Sequence, residues 1–164
     1  MKSVSILHLI VTAALLPANV LSQLSAEEIC GDLGVLTITA EELSKVDDKG
    51  ALRMCADHPL GRNRTLDVTG GASLAPWSEG ESASDNNPLQ SRACKREAPY
   101  GCADGYCWKA CGDKRKGYWC WTAGNWGKGG WNKCKRWQNC QPNDDANFGC
   151  GRNCRRPGVC GCSC

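Results

Sequence analysis

Cysteine is the residue whose number and spacing could do the most chemistry in this chain. There are fourteen: Cys30, Cys55, Cys94, Cys102, Cys107, Cys111, Cys120, Cys134, Cys140, Cys150, Cys154, Cys160, Cys162 and Cys164. An even number at close spacing fits either oxidation in pairs or capture of a metal by thiolates. Zinc sites use pairs two to four residues apart and often recruit histidine. Beyond the first residues the chain has only His58, and thiols carried out of the cytosol oxidise. Seven disulfides are therefore expected, with no metal and no cofactor.

His58 is also the one side chain that invites a catalytic reading. It precedes Pro59 in a turn-like stretch, and no nucleophile with a recognisable local motif accompanies it. A general base needs a placed partner, so His58 reads as a loop residue and the chain as a non-enzyme. Recognition chemistry is better represented. Lys114, Arg115 and Lys116 form one basic run, Lys133, Lys135 and Arg136 lie beside Trp137, and Arg152, Arg155 and Arg156 form a third cluster. Trp126 and Trp131 sit in a glycine-rich stretch, Gly124 to Trp131, that can hardly bury both. Exposed indole beside lysine suits sugar stacking or contact with a membrane interface. The candidate binding surface is Lys114, Arg115, Lys116, Trp126, Trp131, Lys135, Arg136 and Trp137.

The elements that must position these residues follow from composition. Residues 1–22 read as a secretory signal: Lys2 at the start, an apolar run from Ile6 to Leu16, and Val20-Leu21-Ser22 before the cut. That run is too short to span a bilayer. The expected product is secreted, extracellular and not membrane-spanning. Residues 23–92 carry twelve acidic and six basic residues, whereas 93–164 carry five acidic and thirteen basic, so a net charge of +3 hides a strong asymmetry. An acidic unit, residues 23–67, accompanies a basic cysteine-rich domain, residues 93–164. Residues 68–92, rich in Gly, Ser, Asn and acids, read as a flexible linker. Lys95-Arg96 and Arg92 are candidate processing positions, so the acidic unit is either a removable pro-segment or a retained domain. Asn63-Arg64-Thr65 is a glycosylation sequon at Asn63.

Within the acidic unit, Ser25-x-x-Glu28 and Thr39-x-x-Glu42 have the form of capping boxes that start helices. Gly31 to Ile38 between them could be a short strand. Cys30 and Cys55 are the only cysteines of this half and pair by default; closing that loop contributes about 3.5 kcal/mol in the chain-entropy model. In the basic domain, Tyr106-Cys107-Trp108 and Tyr118-Trp119-Cys120-Trp121 flank a charged turn bounded by Gly112 and Gly117. Alternating β-favouring aromatics predict a hairpin over Gly105–Thr122, with Trp119 and Trp121 on one face. The competing reading places Cys107 and Cys111 on one helical turn. From Cys94 onward there is no Leu, Ile or Met, and Val159 is the only branched aliphatic. So little aliphatic burial cannot offset chain entropy, and crosslinks must carry the fold. The fold class expected is small, disulfide-rich and mainly β with short helical turns, preceded by a small α/β unit closed by one disulfide.

Several stretches carry a family likeness. They are Cys30-Gly31-Asp32-Leu33-Gly34-Val35, His58-Pro59-Leu60-Gly61-Arg62, Ala98-Pro99-Tyr100-Gly101-Cys102, Gly105-Tyr106-Cys107-Trp108-Lys109 and Cys160-Gly161-Cys162-Ser163-Cys164. With them the chain resembles small cysteine-rich secreted proteins of filamentous fungi, among them those named "induced during incompatibility" and related candidate effectors. That likeness implies a role in host colonisation or antagonism between cells, without enzymatic activity. The Cys-x-x-x-Cys and Cys-x-Cys spacings are also similar to scorpion-toxin-like and defensin folds, where Cys107-x-x-x-Cys111 would have to supply the helix.

The function expected is that of a secreted effector or toxin-like protein that binds a host protein, an anionic membrane surface or a cell-wall glycan. One alternative is an antimicrobial defensin-like peptide released from an acidic pro-segment. Another is a chitin- or carbohydrate-binding module using Trp126, Trp131 and Trp137. Nucleic acid fits the charge, but export makes it the poorer partner.

Overall fold

The computed structural model describes residues 24–61, 72–78, 94, 98–113, 116–142, 146–156 and 158–163. The signal segment, Arg92, Asn63, Lys95-Arg96, Lys114, Arg115 and Cys164 lie outside the described residues. Among the described residues no helix is long and apolar enough to cross a membrane.

Five short strands form one antiparallel sheet in chain order: β1 (Ser73–Leu74), β2 (Tyr100–Ala103), β3 (Tyr106–Ala110), β4 (Trp119–Ala123) and β5 (Gly149–Cys150). The expected hairpin is present as β3 and β4, with Trp108 opposite Trp121, Lys109 opposite Cys120 and Ala110 opposite Trp119. Cys107 therefore lies in a strand and not on a helical turn. The glycines at the ends of the connecting turn take left-handed backbone, φ 59° at Gly112 and 71° at Gly117.

A second hairpin joins β2 to β3 through Asp104-Gly105, with φ 49° and 81°. Two left-handed residues in succession match the right-handed twist of the flanking strands, and Asp-Gly supplies them at low cost. β1 falls within residues 68–92, the stretch read as a flexible linker, of which residues 72–78 are described. Ser73 and Leu74 pair with Cys102 and Gly101, the Ala75 amide donates to the Tyr100 carbonyl at 3.0 Å, and Ala75 is buried.

Pleating sorts the side chains into two unlike faces. One holds Ala98, Ala103, Trp108, Trp119 and Trp121, with Leu60, Leu74, Tyr106 and Trp131 packed around them. Trp108 and Trp121 each meet Trp119 edge to face, at 6.1 and 5.1 Å. The other face holds Cys102, Cys107, Cys140 and Phe148, with Tyr100 and Cys134 against them. Tryptophan on one side and sulfur on the other do the work of the missing aliphatics, so β4 is buried along its whole length.

Six disulfides join described residues: Cys30–Cys55, Cys102–Cys134, Cys107–Cys140, Cys111–Cys162, Cys120–Cys150 and Cys154–Cys160. Cys94 is disulfide-bonded as well. Sulfur atoms gather in threes at Cys107, Cys134 and Cys140 and at Cys111, Cys120 and Cys150. All six are already bonded in disulfides and offer no thiolate to a metal.

In the acidic unit both capping boxes form. Ser25 Oγ accepts from the Glu28 amide at 3.2 Å while Glu28 Oε2 accepts from the Ser25 amide at 2.7 Å, opening α1 (Ala26–Cys30). Thr39 and Glu42 repeat the exchange at 3.2 Å each way, opening α2 (Ala40–Ser44). The strand expected over Gly31 to Ile38 does not form. Gly31 and Gly34 turn at φ 48° and 62° around a 3-10 turn, Gly31–Leu33, and only the single bridge Val35–Cys55 remains.

The close approach of β1 and β3 to β2 makes a direct prediction. A Cβ on Gly101 would lie 2.7 Å from the Ser73 carbonyl oxygen and 2.9 Å from Trp108 Nε1. Gly101→Ala should lower stability by about 1–3 kcal/mol. Gly130→Ala, where a Cβ meets nothing within 4 Å, should be near neutral. Guanidinium unfolding of the oxidised protein, followed by tryptophan fluorescence, measures both.

Candidate functional site

β3 and β4 part beyond the Trp108–Trp121 pair, and residues 131–133 wedge between them. The Cys107 amide donates to the Asn132 carbonyl at 2.8 Å and the Asn132 amide donates to the Thr122 carbonyl at 3.0 Å. Thr122 Oγ1 donates to the Cys107 carbonyl at 3.1 Å and accepts from Asn132 Nδ2 at 3.2 Å. The wedge orders the glycine-rich stretch before it and the basic stretch after it, so most of the sequence-predicted binding residues hang from one feature.

Lys133 ends the wedge, and after it comes the loop carrying Lys135, Arg136 and Trp137. It is bolted to the sulfur face at Cys134, through Cys102, and at Cys140, through Cys107. The Cys134 amide donates to the Gly105 carbonyl at 2.9 Å, and Asn139 Oδ1 accepts from the amides of Lys135 and Arg136, both at 3.1 Å. The Trp137 amide donates to Ser73 Oγ at 3.0 Å, and its ring meets Tyr100 edge-on at 6.0 Å. Trp137 is thus half-buried and a part of the anchor. Lys133, Lys135 and Arg136 are exposed; none is ion-paired to a described residue.

Before the wedge, Asn125 and Trp126 adopt left-handed backbone at φ 50° and 55°, followed by Gly127 at 85°. The Trp126 amide donates to the Ala146 carbonyl at 2.8 Å and Asn125 Nδ2 to the Asp48 carbonyl at 3.1 Å. Trp126 is 52% exposed. Left-handed backbone costs an ordinary residue about 1–2 kcal/mol, so here strain is stored under an exposed indole, a pairing that recurs at ligand contacts.

Trp131, grouped with Trp126 from its sequence context, has a different role. Its ring stands edge-on to His58 at 4.7 Å and beneath the Arg53 guanidinium, 4.4 Å from Cζ. Lys116 is exposed beside the Tyr118 ring at 5.9 Å.

The residues that sequence reasoning missed are Arg53, Asp57 and the surroundings of His58. Arg53 is buried, and its guanidinium donates to the carbonyls of Ala56, Gly127, Gly129 and Arg152. Burial lowers its pKa to about 10, opposed in part by the nearby Asp57 carboxylate, and it stays charged at neutral pH. Asp57, fully buried, accepts from the Arg155 and Arg156 amides at 2.8 and 3.2 Å and from Arg156 Nε at 2.6 Å. His58 is fully buried, stacked on Trp121 at 4.5 Å and edge-on to Tyr106 at 4.5 Å, with Nδ1 accepting from the Leu60 amide at 3.2 Å.

Two further contacts extend this junction. Glu42 accepts from Asn153 Nδ2 at 3.2 Å and lies 3.9 Å from Lys128 Nζ. The Thr39 amide, then Asn153, hold its carboxyl below the usual range. Of the third basic cluster only Arg156 turns its charge inward, onto Asp57, while Arg155 lends its backbone amide and the side chains of Arg152 and Arg155 stay exposed. No charged residue within Arg53–His58 carries a motif, and its partners lie about a hundred positions away in the chain, as with Asp57 and Arg156.

No protein-family model matches the chain, and neither a curated protein nor a solved structure is significantly similar to it.

Opposite outcomes are expected for the two neighbouring tryptophans. Trp131→Ala should cost about 3–5 kcal/mol by opening the space between Arg53 and His58. Trp126→Gly should raise stability by about 1 kcal/mol by relieving the left-handed backbone. Chemical unfolding of the two variants under oxidising conditions is the measurement.

Proposed function

We propose that this is a secreted, non-catalytic binding protein of the effector or toxin-like kind, and that the loop from Lys133 to Trp137 is its contact with an anionic extracellular surface. One observation carries the reading. Two exposed cations, Lys135 and Arg136, sit between the disulfide-tethered Cys134 and Cys140, with exposed Lys133 directly before them. None of the three is ion-paired to a described residue. A loop already ordered loses little freedom on binding, so its charge is spent on the partner. Binding without catalysis is supported by His58, which is sealed among three rings and cannot reach a substrate. Likeness to fungal cysteine-rich effectors points the same way.

Release of a defensin-like peptide from an acidic pro-segment is the less favoured reading. Removing residues 24–61 would strip His58 from Trp121 and leave the Arg156 guanidinium without Asp57. Binding to polysaccharide rests on Trp126 alone, because Trp131 is held by Arg53 and His58.

Cosedimentation with phosphatidylserine-containing vesicles, and in parallel with an immobilised acidic glycan, tests the main reading. Wild type should bind at least one of the two and lose binding as salt is raised. Lys135→Glu/Arg136→Glu should weaken that binding about tenfold or more, at roughly 1 kcal/mol per charge near such a surface, without altering the unfolding midpoint. Equal binding by the double variant, or none by wild type to either, defeats the proposal. On insoluble chitin, retention of wild type but not of Trp126→Ala would transfer the function to the indole.

A further inference from the structure

We infer that the cysteine-rich half carries a docking socket for a segment of the form Arg-x-x-x-Asp-His, and that residues 24–61 occupy it as a bound subunit held by contacts alone. No described disulfide joins the two parts. Cys30–Cys55 closes within the segment, and the other five lie between residues 102 and 162.

The socket has three compartments, each matched to one side chain. Carbonyls of Gly127, Gly129 and Arg152 converge on the Arg53 guanidinium above the Trp131 ring. The amides of Arg155 and Arg156, with the Arg156 guanidinium, receive the Asp57 carboxylate. Tyr106, Trp121 and Trp131 surround the His58 imidazole. Around this core the bridge Leu52–Gly129, the bond from Arg53 N to the Lys128 carbonyl at 3.3 Å, and Glu42 against Asn153 extend the seam.

An ion pair with one partner removed leaves an uncompensated buried charge, which is far costlier than losing a surface pair. Asp57→Asn approaches that case within the seam. Withdrawal of the whole segment instead returns Asp57 and Arg53 to water, and costs the cover that His58 and Arg53 give the Trp121 and Trp131 rings, with the matched bonds of the seam. Cutting the connecting chain, in contrast, only lowers the effective concentration of one part for the other. A cut between residues 61 and 72 therefore yields a two-chain protein and does not free a basic peptide. This inference concerns the junction and is independent of the cationic loop.

The test uses the full chain with a protease recognition sequence inserted between Val68 and Thr69, cut to completion in the oxidised state. Size-exclusion chromatography with mass spectrometry of the peaks should show both fragments at the elution volume of the uncut protein. They should separate only in strong denaturant, with no reductant needed. Asp57→Asn in the same cut protein should speed loss of the segment about a hundredfold. The cut wild type decides the matter even if that variant folds poorly. Separation of the wild-type fragments in plain buffer would overturn the inference.

Discussion

The burial of Arg53, Asp57 and His58 against the cysteine-rich half is the interaction on which the rest of the structure depends. Sulfur bridges tie strands together, but they do not roof a sheet face made of tryptophan. Trp121 and Trp131 gain their cover from an imidazole and a guanidinium supplied by the acidic segment. Burying a cation and a carboxylate is tolerable only where every donor and acceptor is met. Arg53 meets four carbonyls, and Asp57 receives three donors. The opposed charges of the two halves are in this sense an internal complement before they are an external signal.

That arrangement divides the basic residues by role. The Arg156 guanidinium holds Asp57, and Lys128 is buried near Glu42. Lys133 remains at the surface beside, and Lys135 and Arg136 within, a loop whose ends at Cys134 and Cys140 are fixed in sulfur. Lys116, Arg152 and Arg155 are exposed as well, so among the described residues the stretch from Lys133 is singled out by three neighbouring exposed cations beside Trp137, not by exposure alone. Among the described tryptophans, Trp126 alone combines high exposure with left-handed backbone.

Local physics was legible in the sequence. Ser25 with Glu28 and Thr39 with Glu42 announced two helix starts, and the aromatic alternation around Trp108 and Trp121 announced a hairpin, because both signals act over a few residues. Asp104-Gly105 is an equally local hairpin signal, and the expected hairpin, beginning at Gly105, does not include β2. The Gly31 to Ile38 strand failed because two glycines in left-handed conformations outweighed a short β-branched stretch. The roles of Arg53, Asp57 and Trp131 were not legible. Their partners lie 99 residues away in the case of Asp57 and Arg156, and polar residues buried by tertiary pairing look like solvated ones in a single sequence.

Native-state hydrogen exchange of the oxidised protein addresses the shared core most directly. The Arg53 amide, bonded to the Lys128 carbonyl at 3.3 Å, and the Asp57 amide, bonded to the Leu33 carbonyl at 3.0 Å, report on the acidic segment. The amides of Asn132 and Gly151, bonded to the Thr122 and Trp121 carbonyls at 3.0 Å each, report on the cysteine-rich half. If the halves form one cooperative unit, all four should open with the same free energy to within about 1 kcal/mol. Opening of Arg53 and Asp57 at a free energy several kcal/mol lower, with Asn132 and Gly151 still protected, would contradict the account.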